Sequence, residues 1–185
     1  EGNSRSATML AVETAKANGS IISFDPNIRM FLWQDEDMLR KMLHYGLSNC
    51  TVLKMSKDEA IYQSGICDPE AAMESILKNY PNISVAFLTL GEKGSMVFSG
   101  ESKAYVDAMS QKNVVDTTGA GDAFYGVCLY YIAKCSISDL TMDKLAFIAE
   151  RANAAGSIVT GRYGSMRVMP DNIEIEETVR IQRKS

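Results

Sequence analysis

Asp116-Thr117-Thr118-Gly119-Ala120-Gly121-Asp122 runs directly into Ala123-Phe124-Tyr125-Gly126. Three small residues sit between two acidic ones where a loop hands over to a helix. A helix start exposes unpaired backbone N–H groups and the positive end of the macrodipole. Gly119, Ala120 and Gly121 have little side-chain bulk, so an anion can come right up to those groups. Asp122 then puts a proton acceptor beside the anion. Phosphoryl transfer to an alcohol requires this pairing of an anion cradle with an adjacent base. The plain alternative is a glycine-containing turn before a packed helix. A dinucleotide G-x-G-x-x-G pattern fails, because Phe124 stands where the third glycine belongs.

The heptapeptide resembles the signature of the ribokinase-like (PfkB) carbohydrate kinases. The resemblance implies that Asp122 takes the proton from a sugar hydroxyl. It also implies that Gly119, Ala120, Gly121 and the N–H of Asp122 form the anion hole. Phe24-Asp25-Pro26-Asn27-Ile28-Arg29 resembles the D-P-N-x-R element of the fructokinase and 2-keto-3-deoxygluconate kinase branch. There Arg29 would offer a planar, permanent positive charge to a phosphate or acidic sugar, and Asn27 a hydrogen bond to a hydroxyl.

Lys54-Met55-Ser56-Lys57-Asp58-Glu59 resembles the family segment that faces the nucleotide phosphates and their Mg2+. Mg2+ prefers oxygen and keeps several waters, so Glu59 is expected to reach it through water. Many relatives carry Asn where this chain has Ser56. The same spacing is also a capping box, which gives both residues a purely structural role. Thr89-Leu90-Gly91-Glu92-Lys93-Gly94 resembles the family's T-x-G-x-x-G, which assigns Thr89, Gly91 and Gly94 to the nucleotide. A P-loop is rejected, because no Gly-Lys-Ser/Thr follows. Asn153 matches a position lining the adenine pocket. Asp116 and Thr118 match the loop that holds a monovalent cation such as K+ in many members, with further ligands from backbone oxygens near Thr160 and residues 163–165.

Positioning these residues requires alternating strands and helices. Ser4 is expected to cap a helix over residues 5–17, ended by Asn18-Gly19. Residues 20–24 read as a buried parallel strand broken by Asp25-Pro26-Asn27. A helix over 35–45 is stopped by Gly46, and a strand follows at 50–55. Ser56 caps the next helix, and Asp68-Pro69 opens another through Asn79. Residues 83–90 form a strand, and 95–98 with 103–106 a hairpin around Ser99-Gly100. Helices follow at 122–134 and 139–159, then an irregular loop at 160–169, then an amphipathic helix at 172–183. Such alternation means α/β with a largely parallel sheet, whose ligands sit beyond the carboxyl ends of the strands. The resemblance makes this a three-layer α/β/α ribokinase-like fold. It implies that the chain is the later part of that fold, a single unit over 1–185, with the N-terminal strands and the small β lid missing. A sheet without its first strands exposes an edge, which self-association would cover.

The chain of 185 residues is 46% hydrophobic and carries a formal net charge of -4 from 19 basic and 23 acidic residues. That balance argues against a nucleic-acid partner. No apolar run is long enough for a membrane span. Cys50, Cys67, Cys128 and Cys135 show no C-x-x-C spacing, so they read as reduced thiols in a cytoplasmic protein. The sole histidine, His44, excludes a conventional His-based triad. The sequence thus points to an ATP- and Mg2+-dependent kinase for a small sugar, fructose-like or 2-keto-3-deoxy. A nucleotide-binding or assembly module without turnover is the alternative from another class, and a nucleoside or vitamin kinase of the same superfamily is a third.

Overall fold

A leucine at every fourth position of the second long helix gives the first half of the chain its core. In the computed structural model, which describes residues 2–111 and 113–184, the chain divides into two compact units, Glu1–Ala86 and Phe87–Ser185. The first holds α1 (Asn3–Ala17), β1 (Ser23–Phe24), α2 (Glu36–Asn49), β2 (Val52–Ser56), α3 (Lys57–Ser64) and α4 (Pro69–Asn79). β3 (Val85–Thr89) begins in the first unit and ends in the second. The second unit continues with β4 (Ser95–Ser99), β5 (Ser102–Val106), α5 (Ala120–Ile132), α6 (Met142–Thr160) and α7 (Asn172–Gln182). The strands follow the order β1-β2-β3-β4-β5 in one sheet, the α/β class expected.

In the first unit Leu39, Leu43 and Leu47 of α2 are buried with Val52, Leu53 and Met55 of β2. Each such leucine stabilises the fold by roughly 1.5–3 kcal/mol. Asp35 caps α2 by accepting from the Asp37 N–H. Gly46 does not stop α2, as the sequence suggested it would. The helix runs on to Asn49, and Gly46 serves close packing instead: a Cβ there would lie 2.4 Å from the Phe24 ring. α3 opens with the expected Ser56/Glu59 capping box, and α4 with Asp68 followed by Pro69.

Two expectations near the start are corrected. Ser4 is not a cap: α1 starts at Asn3, and the Ser4 carbonyl accepts from Thr8 Oγ1. The strand foreseen over 20–24 shrinks to Ser23–Phe24, parallel to β2 with Ser23 opposite Val52. None of its residues is buried, because β1 stands at the end of the strand order rather than inside the sheet.

In the second unit β4 and β5 form the expected antiparallel hairpin, with Ser99 opposite Ser102 at its closed end. α5 begins two residues earlier than the pattern suggested, which places Asp122 in its first turn. α6 begins later than Asp139, because Ile137–Asp139 forms a separate 3-10 turn and Thr141 is the cap. α5 and α6 pack along their length. Phe124 meets Phe87 edge-on at 6.0 Å between ring centres. Ile175 and Val179 of α7 pack with Met109, Ala155 and Val159. Arg151, buried on α6, binds Glu176 of α7 through two hydrogen bonds of 2.6 and 2.8 Å. Paired guanidinium–carboxylate geometry of this kind fixes orientation as well as distance.

All four cysteines are free thiols, and burial pushes Cys50 up to about 12. His44 is exposed and shares a hydrogen bond with the Tyr80 hydroxyl at 3.0 Å. Among the described residues no helix is long and apolar enough to cross a membrane.

Candidate active site

The second unit gathers most of the expected residues around the start of α5. Gly119 is its N-cap with φ of 83°, a left-handed conformation, and a Cβ there would lie 2.9 Å from Ser165 Cβ. Both facts require glycine. The Ala120 N–H donates to Thr117 O at 3.3 Å and that of Ala123 to Gly119 O at 2.9 Å. The N–H groups of Gly119, Gly121 and Asp122 have no acceptor among the described residues. Of the proposed anion-hole members, Ala120 alone has its donor committed elsewhere. The Asp122 side chain is exposed, with no ion pair or hydrogen bond among the described residues.

A cavity of about 640 Å³ opens beside this helix start. Thr89, Gly91, Gly94, Ala120, Gly121 and Asn153 all line it, so residues from three separate sequence segments meet there. Asp122 is not in the lining; it is the exposed residue that follows Gly121 along α5. Sequence reasoning missed Met109, Ser110, Gln111, Val114 and Gln182, which also line it. The stretch 107–115 has no periodicity to betray it, and Gln182 lies at the end of an ordinary amphipathic helix. A usable signal was the position of that aperiodic stretch, between the hairpin and the signature.

Asn153 holds this wall in shape. Its amide donates to Val106 O at 3.1 Å and to Asp107 O at 3.0 Å, where the chain leaves β5. Asp116 performs a similar task one loop further on. Its Oδ1 accepts from the Thr118 N–H at 2.9 Å and its Oδ2 from the Gly164 N–H at 3.2 Å. The Thr118 and Gly164 donors hold the Asp116 carboxyl below its ordinary value. Thr160 O accepts from the N–H groups of Val115 and Asp116, so the loops foreseen around a cation do come together. Thr118 itself is exposed.

In the first unit the D-P-N-x-R turn and the Ser56–Glu59 segment are joined by hydrogen bonds. Asn27 adopts φ of 43°, a positive value uncommon outside glycine that Asn tolerates better than most residues. Its Oδ1 accepts from Arg29 Nη2 at 3.1 Å. Lys54 Nζ, buried, pairs with Asp25 at 3.0 Å. Burial pushes the Asp25 carboxyl above its ordinary value, against the opposing pull of Lys54. Glu59 is also buried. Its Oε1 accepts from the Ile28 N–H at 2.9 Å, and its Oε2 from both the N–H and the Oγ of Ser56 at 2.8 Å. Glu59 is thus a bolt between the turn and β2, and only Oε1 keeps spare capacity for a metal-bound water. Among the described residues no group of three or more His, Cys, Asp or Glu side chains is arranged to hold a metal ion.

The pfkB family carbohydrate kinase profile matches residues 1–172, and the chain belongs to that family. Its fold is ribokinase-like α/β. Fructokinase-2 of Oryza sativa subsp. japonica is 34% identical over 176 residues, which cover 95% of this chain and 52% of that protein. The crystal structure of fructokinase from Vibrio cholerae O395 with fructose, ADP and calcium ion superposes with a TM-score of 0.88 at 28% identity, covering 97% of this chain and 57% of that one. A double mutant of that enzyme with fructose, ADP and potassium ion also gives 0.88, at 27% identity, with 97% and 56% covered. The chain spans about half the length of the curated relatives it matches.

Proposed function

We propose that the protein carrying this chain is an ATP-dependent sugar kinase that transfers the γ-phosphoryl group to a hydroxyl of a fructose-like sugar. The observation that carries this reading is the set of uncommitted N–H groups on Gly119, Gly121 and Asp122, of which Gly121 lines a cavity that Thr89, Gly91 and Gly94 also line. These donors neutralise charge on the transferring group as it develops, at a helix end already biased towards anions. Asp122, exposed and unpaired, takes the proton from the attacking hydroxyl. The cavity holds the nucleotide. Asn27 and Arg29 bind the sugar's hydroxyls and any acidic substituent. Mg2+ would accompany the phosphates and spread their charge, with Glu59 reaching it at most through a water on Oε1. K+ would sit by the Asp116–Thr118 loop, where it would steady the start of α5. Fructose is the favoured acceptor because the relatives named above are fructokinases; a 2-keto-3-deoxy sugar is the next choice.

The test is ADP formation from Mg·ATP with fructose, with 2-keto-3-deoxygluconate and with no acceptor. Sugar-dependent ADP formation supports the kinase. The half-length coverage of its relatives favours a second reading for the 185-residue chain alone: a nucleotide-binding module without turnover. Calorimetry separates the two, since the module binds Mg·ATP with no effect of sugar and no ADP produced.

A further inference from the structure

The first unit holds a cavity of its own, of about 370 Å³, lined from α1, β1, the turn after it and α2. It shares no lining residue with the cavity of the second unit. α1 leaves it open by packing incompletely. Arg5, Met9 and Val12 recur at helical spacing on one face, yet no residue of this helix is fully buried. Met9, Val12, Phe24, Trp33, Met42 and Leu43 give the cavity a mainly apolar wall. Several of its polar groups are committed. Thr8 Oγ1 donates to Ser4 O, and the Tyr45 hydroxyl to Glu13. Asn49 Nδ2 donates to Tyr45 O, and its Oδ1 accepts from Lys16 Nζ. Arg5 differs. It is the one charged residue in the lining among the described residues. Its half-buried guanidinium finds a single acceptor among them, the Met38 thioether, 3.7 Å from Nη1. A thioether sulfur is a weak acceptor, so the other N–H donors of this fork are left over.

We infer that this cavity binds an apolar monocarboxylate, a medium-chain fatty acid in its anionic form, with the carboxylate on Arg5 and the alkyl chain along the apolar wall. A carboxylate supplies the planar pair of acceptors that a guanidinium fork fits and a thioether does not. One guanidinium balances one negative charge, which favours a carboxylate over a phosphate monoester with its higher charge. A plain alkyl chain brings no polar group that the apolar wall would leave unmatched. The volume falls in the range of small-molecule sites, which join an apolar lining to a few polar groups that fix orientation.

Trp33 is the only tryptophan in the sequence and lines this cavity, so its emission reports occupancy. The test titrates the 185-residue chain with decanoate, hexanoate and decanol, each kept below the concentration at which it self-associates. The wild type is expected to bind decanoate saturably, and at least about tenfold more tightly than decanol, which keeps the chain but not the charge. Affinity is expected to fall about threefold for each methylene lost from decanoate to hexanoate. Arg5→Gln should abolish the preference for decanoate over decanol, and Arg5→Lys should keep part of it. Val12→Phe, which fills the cavity, should weaken decanoate binding by about tenfold or more. Circular dichroism checks that each variant folds. An emission change that does not saturate, or none at all, overturns the inference. So do equal affinities of the wild type for decanoate and decanol, a preference that survives Arg5→Gln, or undiminished binding by Val12→Phe. If the variants do not fold, the wild type decides: tighter binding of decanoate than of decanol upholds the site, and equal affinities reject it.

Discussion

Asp116 and Asp122 bracket the same short segment, yet the fold gives them opposite circumstances. Both oxygens of Asp116 accept backbone N–H groups, whereas Asp122 is exposed and unpaired. The sequence showed two carboxylates at a fixed spacing but not which was committed, because commitment depends on Gly164, 48 residues away. The donors of Thr118 and Gly164 depress the Asp116 carboxyl below its ordinary value. A depressed carboxyl contributes its tie fully above the ordinary value and loses it as pH falls through the depressed one. Amide exchange followed by NMR should therefore show Gly164 protected at neutral pH and losing protection below about pH 4. In Asp116→Asn the Gly164 N–H faces an NH2 and should exchange faster at neutral pH, while Thr118, still facing an oxygen, changes less. Equal protection of Gly164 in both proteins would refute this tie. Glu59 teaches a related lesson. Its spacing from Ser56 was legible both as a capping box and as a metal anchor. The box formed and consumed one oxygen outright, while the contact to the Ile28 N–H was invisible because it joins segments 31 residues apart.

At the scale of elements, the signals that read correctly were local ones. The Ser56 and Asp68 caps, the hairpin around Ser99-Gly100 and the apolar face of α2 are each decided within a few residues. Those that misled were settled by distant packing. Gly46 looked like a helix stop, but the Phe24 ring occupies the space a side chain would need. Gly46→Ala should consequently destabilise the protein although alanine is the better helix former. Overpacking costs typically about 1–3 kcal/mol, which exceeds the gain of roughly 1 kcal/mol in helix propensity. Urea unfolding checks this, and a stability equal to or above wild type would show that Phe24 moves aside freely. The early start of α5 was likewise hidden, because it depends on Gly119 taking φ of 83° against Ser165.

For the molecule as a whole, the α/β class and the family were readable because strands and motifs alternate along the chain. The cavity's outer wall was not, since residues 108–111 and Gln182 come from an aperiodic loop and from a helix more than 70 positions later. The first unit also leaves large apolar side chains exposed: Phe31 at 83%, Leu32 at 69% and Met30 at 46%. Contiguous apolar surface of this kind usually belongs to an interface. The 185-residue chain is therefore expected to self-associate at high concentration, as light scattering after size exclusion would show, with Phe31→Ser reducing the effect. A monodisperse monomer at high concentration would count against it.

In the proposed mechanism, backbone donors at the start of α5 hold the migrating phosphoryl group while Asp122 removes the acceptor's proton. Steady-state ADP formation by the protein carrying this chain, wild type against Asp122→Asn, with Mg·ATP and fructose, probes that directly. The expected result is a fall in kcat of about 10²–10⁴ with nucleotide affinity unchanged. Turnover close to wild type in the variant would contradict it.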